Sequence, residues 1–199
     1  KIMATTSTSA NSGIDICSRA LILVGANPIS SFDDQTTEST VAVNMYEDIV
    51  RASLVNTRWR FATEQAVLNA LSDAPTGRWD TAHQLPSDTL MLHGVTVNDA
   101  LIDYQVYGDK VFSNLSTADV VIADYTFRAQ ELNWPSYFVL AVEYSIAVVF
   151  ATAIARDSSL ATLMASQADK AMAKARNLDS QQSTTAKLTT SRFIIARTS

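Results

Sequence analysis

The side chains that most often carry chemistry are few and scattered in this sequence. It contains one cysteine, Cys17, and two histidines, His83 and His93. A structural zinc site needs three or four Cys or His ligands at short spacings, which these residues do not supply. Cys17 occupies an apolar helical position, which favours a buried thiol over a nucleophile, and both histidines are expected to be structural or exposed. The sequence therefore predicts no metal site and no cofactor.

The patterns of nucleotide-binding and hydrolytic enzymes are also missing from the sequence. Five glycines scattered through 199 residues form no phosphate-binding loop. No Ser, His and Asp follow a hydrolase motif, and no pair among the twenty Asp and Glu residues stands out as an acid and a base. No motif identifies the acid of a hydrolase, so Glu131 or Asp124, near the β-rich segment, could be named as that acid only arbitrarily. We therefore expect no enzymatic activity.

Charge is distributed unevenly along the chain. The net charge is −5, yet residues 158–199 carry six Lys or Arg against two Asp. Such a basic segment is typical either of a solvated helix face or of a contact with nucleic acid, here through Lys170, Lys174 and Arg176. Residues 58–62, Arg-Trp-Arg-Phe-Ala, form a second basic and aromatic cluster. Packing at the edge of a core is the favoured interpretation of that cluster.

Helical periodicity predicts two helices in the first third of the chain. Ser12 begins a sequence with the spacing of a capping box, and apolar residues recur at helical intervals up to Gly25. Gly25 can adopt the left-handed conformation that ends a helix. A second helix is expected from residue 36 or 37 to about residue 55, with Glu38 in its first turn.

The longest apolar run, residues 135–156, is the segment around which the rest of the chain is organised. Pro135 suits a first helical turn, and no further Gly or Pro interrupts the run. Its length would let it cross a membrane, but Glu143 near its middle and its many alanines favour the centre of a helical bundle, without a membrane. A fourth helix, capped by Asp157 or Ser158, is expected to continue to about residue 178.

Short β-rich runs separate the second helix from the third. A strand is weakly favoured at residues 62–71, and antiparallel strands are expected in four further runs, 90–97, 101–107, 111–112 and 120–127. Asn98-Asp99 and Gly108-Asp109 mark tight turns between strands. The order of elements is therefore two helices, a β-rich insertion and two helices.

The expected fold class is α+β: an antiparallel four-helix bundle with an inserted small antiparallel β domain and an extended C-terminal arm. The divisions are a flexible leader at 1–11, a helical bundle domain at 12–60 and 135–182, a β-rich insertion domain at 61–134, and a C-terminal docking arm at 183–199. Candidates for the core or for a subunit interface are Tyr46, Arg51, Trp59, Phe61, Phe138, Tyr144 and Phe150.

Several of these motifs occur in an order that resembles a known family. The motifs are Ala20-Leu21-x-x-Val24-Gly25-x-x-Pro28-Ile29-x-Ser31-Phe32-Asp33-Asp34, then Tyr46 and Arg51, then Trp59-x-Phe61-Ala62, then Gln84-Leu85-Pro86-x-Asp88. In this order they resemble the tail tubular protein A family, the head-to-tail adaptors of tailed double-stranded-DNA bacteriophages. The likeness covers about residues 14–92 by motif and the remainder by layout. This chain departs from the family's pattern at Val24-Gly25, where Leu-Gly is usual, and at residues 81–83, where a more aromatic run is usual.

The resemblance implies a structural protein of the virion, assembled in the host bacterial cytoplasm and located at the head–tail junction. It implies a homo-oligomeric ring, usually of twelve subunits, whose partners are the portal protein and the nozzle, tubular protein B, or another tail component. Double-stranded DNA would pass through the ring without specific binding. Such a ring would hide apolar helix faces between protomers.

The C-terminal arm is the expected docking element for the portal. Its Ser- and Thr-rich part is too polar to order by itself, which predicts an arm that is disordered in the free monomer and ordered on assembly. The contacts would come from the residues near its end, Arg192, Phe193, Ile194, Ile195 and Arg197. The alternative for the arm is that it packs back on its own bundle. The alternative functions for the whole chain are a tail-associated peptidoglycan hydrolase and a non-specific DNA-binding protein.

Overall fold

A computed structural model describes residues 10–72, 75 and 77–182. In these residues it contains four α-helices: α1 (Gly13–Leu23), α2 (Thr37–Val55), α3 (Ser136–Ala153) and α4 (Ser158–Ser180). The same part of the chain contains seven strands: β1 (Thr63–Ala70), β2 (Thr81–Gln84), β3 (Thr89–Val97), β4 (Ala100–Leu101), β5 (Tyr104–Tyr107), β6 (Lys110–Ser113) and β7 (Val121–Phe127). Short 3₁₀ helices at Arg60–Ala62 and Glu131–Asn133 join the helical part to the sheet.

Side-chain caps fix where three of the helices begin, as the sequence predicts. The hydroxyl of Ser12 accepts a hydrogen bond from the Asp15 amide at 3.2 Å and donates one to the Asp15 carboxylate at 2.8 Å, which is a capping box with Asp in place of Glu. The Thr36 hydroxyl accepts the amide hydrogen of Ser39 at the start of α2, and the Asp157 carboxylate accepts the amide hydrogen of Leu160 at the start of α4. The predicted starts of these helices are therefore confirmed.

Helix α3 lies at the centre of the helical part. It contacts α1, α2 and α4, and nine of its side chains are buried. Because α3 is apolar on almost every face, it can accept a neighbour on several sides at once. By length and composition it is also the one helix of the described residues that could cross a membrane, although half of the tested segment is buried within this fold.

The predicted fold class is wrong. The helices do not form a four-helix bundle with a small β insertion, because the strands build a curled, seven-stranded antiparallel sheet that accounts for about 22% of the structure. The helices also arrange around α3 rather than as four equivalent antiparallel neighbours. The error has a physical origin: strands that are short and pair over long sequence distances give a weak local signal, so the β-rich segment looks smaller than it is.

The sheet order is β4-β3-β7-β1-β2-β6-β5. Strands β1 and β7, which are far apart in sequence, pair over six positions from Thr63↔Thr126 to Leu68↔Val121. Two tight turns connect sequential neighbours, as predicted: Asn98 and Asp99 both have positive φ between β3 and β4, and Gly108 has φ of 61° between β5 and β6. Positive φ at these positions matches the right-handed twist of the flanking strands.

The two outer strands of the sheet are consecutive in the chain. Strands β4 and β5 are separated only by Ile102 and Asp103, yet they lie at opposite ends of the strand order. A connection of this length spans about 10 Å at most. The sheet therefore has to curl until its two edges approach one another, which makes it a half-barrel.

Two apolar clusters support the fold. The larger one fills the space between the helices and includes Trp59, Phe138 and Phe150. The smaller one lies inside the curled sheet and includes Leu85, Val95 and Tyr125. Phe127, at the end of β7, is partly buried against both clusters, so the sheet and the helices pack against each other.

Candidate functional site: an apolar groove around Glu143

A groove of about 610 Å³ runs between α3 and α4. The residues just before α1 and the segment between the sheet and α3 complete its walls. Its apolar side chains include Leu132 and Leu140, which remain 70% and 46% exposed. The groove has the size and mostly apolar character of a recognition site for a side chain or a short segment of another molecule. We call it the helical groove.

Glu143 is the buried acid in the wall of the helical groove. It is 6% exposed, and its carboxylate accepts a hydrogen bond from the Arg19 guanidinium of α1 at 3.5 Å. Burial raises the pKa of Glu143 above its usual range, and the Arg19 charge opposes that shift. Lys174 of α4 is exposed on another wall of the same groove. The groove therefore combines apolar walls with one buried carboxylate and two cations.

This set of groups is suited to binding a partner. Glycoside hydrolysis uses two carboxyl groups on opposite sides of the bond that breaks. Among the described residues that line the helical groove, Glu143 is the only Asp or Glu. A charged residue inside an apolar wall instead gives orientation and selectivity to a docked partner.

The last turn of α4 is joined to the beginning of the sheet through Asp179. Its carboxylate is buried and accepts hydrogen bonds from the Arg60 amide at 3.1 Å and from the Tyr137 hydroxyl at 2.9 Å. Burial and the Asp179 carboxylate raise the pKa of Tyr137 to about 12. Since Tyr137 also lines the helical groove, Asp179 holds one wall of the groove in a fixed position.

An ion-pair network joins α2 to the end of the sheet. The Arg128 guanidinium contacts Glu47 at 2.9 Å and Glu131 at 2.6 Å, and the Tyr46 hydroxyl donates to Glu131 at 2.9 Å. Hydrogen bonds from Arg128 lower the pKa of Glu47. Burial alone would raise the pKa of Glu131, but the hydrogen bonds that Glu131 accepts outweigh burial, so its pKa is also lowered. A lowered pKa is the opposite of what a general acid needs.

The structure places four of the seven core or interface candidates inside the helical part. Tyr46, Trp59, Phe138 and Phe150 are buried, with Phe138 and Phe150 at 0% exposure. The indole of Trp59 donates to the Ser53 carbonyl at 2.9 Å. These four side chains pack within this chain.

The other three candidates reach the surface to different degrees. Phe61 and Tyr144 are half-buried against the helical core. Arg51 is mostly exposed and pairs with Glu47 at 2.7 Å along α2. The five arm residues Arg192, Phe193, Ile194, Ile195 and Arg197 lie outside the described residues.

The remaining chemistry-bearing side chains are held in structural environments. Asp124, on β7, forms an ion pair with Arg58. His83 is 1% exposed inside the sheet, and burial lowers its pKa, whereas His93 shares a hydrogen bond of 2.7 Å with the Thr126 hydroxyl. Burial raises the pKa of Cys17 to about 12, so the thiol stays protonated. Within residues 10–72, 75 and 77–182, no three His, Cys, Asp or Glu side chains cluster in a way that could hold a metal ion.

Sequence reasoning missed the helical groove and the pairing of Arg19 with Glu143. A charged residue in the middle of an apolar run was a usable signal, because such a residue needs a partner. The identity of the partner was not predictable, since Arg19 and Glu143 are separated by 124 positions.

Comparison of the chain with family models finds no match, and comparison with curated proteins finds none either.

Proposed function

We propose that this chain is a structural adaptor that assembles into a ring between the portal and the tail of a bacteriophage. The proposal rests on the resemblance of the motifs to the tail tubular protein A family and on one structural observation. That observation is the apolar surface that the helices leave uncovered around α3. A head-to-tail ring covers such a surface because two different patches of each protomer meet in every interface.

The uncovered apolar side chains are distributed over several elements. Leu132 and Leu140 border the helical groove, Val43 of α2 is 53% exposed, and Leu163 of α4 is 52% exposed. Single exposed apolar residues are common on monomers and need no explanation. The two leucines at one groove that also contains a buried acid are different, because they form a shaped, oriented surface that fits a protein partner.

The residues that carry the resemblance take structural positions in this chain. Leu21 and Ile29 are buried, Gly25 has φ of 75° at the end of α1, and the Asp34 carboxylate accepts the amide hydrogens of Ser30 and Ser31. Such residues shape turns and a core. They account for a turn and a core in this chain and do not identify a particular partner.

Two other functions receive less support. A peptidoglycan hydrolase would need a second acid near Glu143, and Glu131 has a lowered pKa in its ion pair with Arg128. Non-specific DNA binding would use Lys170, Lys174 and Arg176, which are exposed on α4. The net charge of −5 works against it.

Electron microscopy of the purified protein mixed with the portal ring encoded in the same genome tests the adaptor proposal. We expect an additional ring of density, most simply twelve subunits, on one face of the portal. Deleting residues 191–199 should leave a folded chain that no longer attaches. Attachment of the truncated chain equal to that of the full chain would show that the arm is not the docking element.

A surface substitution and its matched control test the role of the helical groove. Leu140→Asp places a charge on the groove wall, whereas Val120→Asp places one at a site that is also exposed, at 58%, next to β7. We expect Leu140→Asp to prevent ring closure on the portal and Val120→Asp to allow it. Rings formed equally well by both variants would contradict a subunit contact through this groove.

A further inference from the structure

The two edges of the curled sheet leave a second groove between them. It has a volume of about 640 Å³ and is lined by the first half of β3, including Met91 and Leu92, and by the end of β5 with its turn, including Val106 and Gly108. The end of β2 and the segment that joins it to β3, residues 84–87, line its remaining side. Strand β4 covers only the far end of β3, so the first half of β3 forms one edge of the sheet and β5 forms the other. A groove lined by both must lie where the half-barrel is open. We call it the seam.

Both sides of the seam offer backbone groups for pairing. On its outer side β3 pairs with β4 only at Thr96 and Val97, and the Ile102 amide adds one bond to the Val95 carbonyl. Strand β5 pairs with β6 and, among the described residues, with no other strand. Two facing edges that pair with no further strand in the described part of the chain are a template for one more strand.

The side chains of the seam set the chemistry of that strand. Leu85 and Leu92 pack in the apolar cluster inside the sheet, and Val106, which is 37% exposed, faces the same side because it pairs with the buried Val111 of that cluster. Met91 is 47% exposed. The hydroxyl of Thr89, which also lines the seam, is buried without a hydrogen-bond partner in the described part of the chain. An extended segment with apolar side chains on alternate positions would cover the leucines and offer Thr89 a polar backbone.

The charges at the rim favour a basic segment. Asp109 lines the seam, and Asp88 is exposed beside it. Hydrogen bonds, chiefly from the Gln84 amide, lower the pKa of Asp109, which keeps this carboxylate charged. An arginine at either end of an apolar strand would complement this rim.

We propose that the seam binds residues 191–197 of the same chain as an added β-strand. Their sequence is Ser-Arg-Phe-Ile-Ile-Ala-Arg, which combines residues of high β-propensity with an arginine near each end. Alternation puts Phe193 and Ile195 on one side, towards Leu85 and Leu92, and Ile194 on the other. The strand fills the open position of the half-barrel and pairs with both edges.

The position of the last described residue allows this contact. The Gln182 side chain lies beside the Tyr137 hydroxyl at 3.3 Å, and Arg192 follows it by ten positions. A flexible connection of that length has a root-mean-square span of about 16–19 Å, comparable to the radius of gyration of about 16 Å for a chain of this size. Such a tether holds the segment near its own seam at an effective concentration in the millimolar range, which favours the same chain over a second copy.

This inference goes beyond the proposed function, with which it shares one segment. The arm that docks on the portal would first have to leave the seam, so the portal and the seam compete for residues 191–197. Portal attachment and seam binding are measured separately, so each proposal can fail without the other.

Disulfide formation in the full chain tests the inference. The test variant carries two substitutions, Ile195→Cys in the arm and Val106→Cys in the seam. The control variant combines Ile195→Cys with Leu132→Cys, and Leu132 is 70% exposed in the helical groove. The native Cys17 is buried and protonated, so it reacts slowly. We expect an intrachain disulfide to form with position 106 at least about tenfold faster than with position 132.

The opposite results overturn the proposal in distinct ways. Equal rates at positions 106 and 132 would show that the arm does not prefer the seam, and a faster reaction at 132 would place it in the helical groove. Disulfides only between chains would assign the seam to the arm of a second copy. Peptide mass spectrometry after digestion separates these cases.

A proline substitution tests whether the contact is a paired strand. Ile194→Pro removes a backbone donor and disfavours a strand between two partners, whereas Ile194→Val retains both the donor and the β-propensity. Added to the 195–106 cysteine pair, the proline should reduce the rate of disulfide formation to that of the 132 control, and the valine should leave it unchanged. Rates that the proline does not change would exclude strand pairing.

Discussion

Truncating Phe138 to alanine should remove a large part of the stability of this protein. Phe138 is fully buried in α3, and its ring lies 5.0 Å from Trp59, 4.9 Å from Phe61 and 5.0 Å from Trp134, measured between centroids. These aromatic residues come from three segments: the turn after α2, the segment before α3, and α3 itself. The alanine therefore leaves a cavity at the point where these segments meet.

The size of the effect follows from the burial and the ring contacts. A buried Phe→Ala change costs about 3–5 kcal/mol. Each aromatic pair at these distances contributes about 0.5–1.5 kcal/mol beyond its buried area, which places Phe138→Ala near the top of that range, at about 4–5 kcal/mol. For a urea dependence of about 2 kcal/mol per molar, the unfolding midpoint should fall by about 2 M.

Urea unfolding of the full chain, followed by far-ultraviolet circular dichroism, measures this change. Leu140→Ala, on the same helix but 46% exposed, is the control and should cost less than about 1 kcal/mol. Phe138→Leu, which keeps most of the apolar volume, should cost less than the alanine variant. A loss below about 2 kcal/mol for Phe138→Ala, with an unchanged urea dependence, would refute the view that these rings centre the helical core.

Three further substitutions have expected outcomes of their own. Glu143→Gln should stabilise the fold at pH 7, because the raised pKa means that the folded state disfavours the ionised carboxylate. The gain should shrink as the pH falls through the raised folded pKa and should vanish below about 4.3, the pKa of the unfolded chain. Gly13→Ala should destabilise by about 1–3 kcal/mol, since its new Cβ would lie 2.8 Å from the ring of Tyr46. Arg128→Met should cost about 2–3 kcal/mol at pH 7, because it leaves Glu131 half-buried without its cation.

Thermal unfolding over pH 3–8 checks all three. Gly77→Ala is the control for Gly13→Ala, because its added Cβ meets no atom within 4 Å. The pKa values of Glu47 and Glu131 are lower in the folded state than in the unfolded chain. These two carboxylates therefore stabilise the fold above about pH 4.3, and that stability is lost as the pH falls through their folded pKa values. Arg128→Met should therefore weaken the dependence of the melting temperature on pH in the acid range. A Glu143→Gln variant that is less stable than the parent at pH 7 would contradict the account of Glu143. An Arg128→Met variant whose stability depends on acid pH as the parent's does would contradict the account of Arg128.

The parts of the fold that depend on local sequence were predictable. Helix α2 begins and ends where capping and periodicity place it, at Thr37 and Val55. Helix α3 begins at Ser136, one residue after the proline that suits a first turn, but it ends at Ala153, three residues short of the predicted boundary. The two turns with positive φ also follow from the residue types of Asn98-Asp99 and Gly108.

The parts that depend on distant partners were not predictable. Residues 101–107 were interpreted as one strand, but the structure divides them into β4 and β5 on opposite edges of the sheet. The available signal was Asp103, a residue that strands disfavour, yet it does not reveal that the sheet curls around this point. The helical groove has the same origin, because its walls join α1, α3 and α4, which a single sequence cannot bring together.

The central position of α3 has a consequence for synthesis on the ribosome. Helices α1 and α2 are complete at Val55, but α3 begins at Ser136, so about 80 residues must be added before their main partner exists. At about 5–20 residues per second, this delay lasts about 4–16 s. The sheet is made entirely within that interval, and the apolar faces of α1 and α2 must stay uncovered until it has passed. We therefore expect the helical core to close after the sheet has been synthesised, with chaperones able to bind the uncovered faces in the interval.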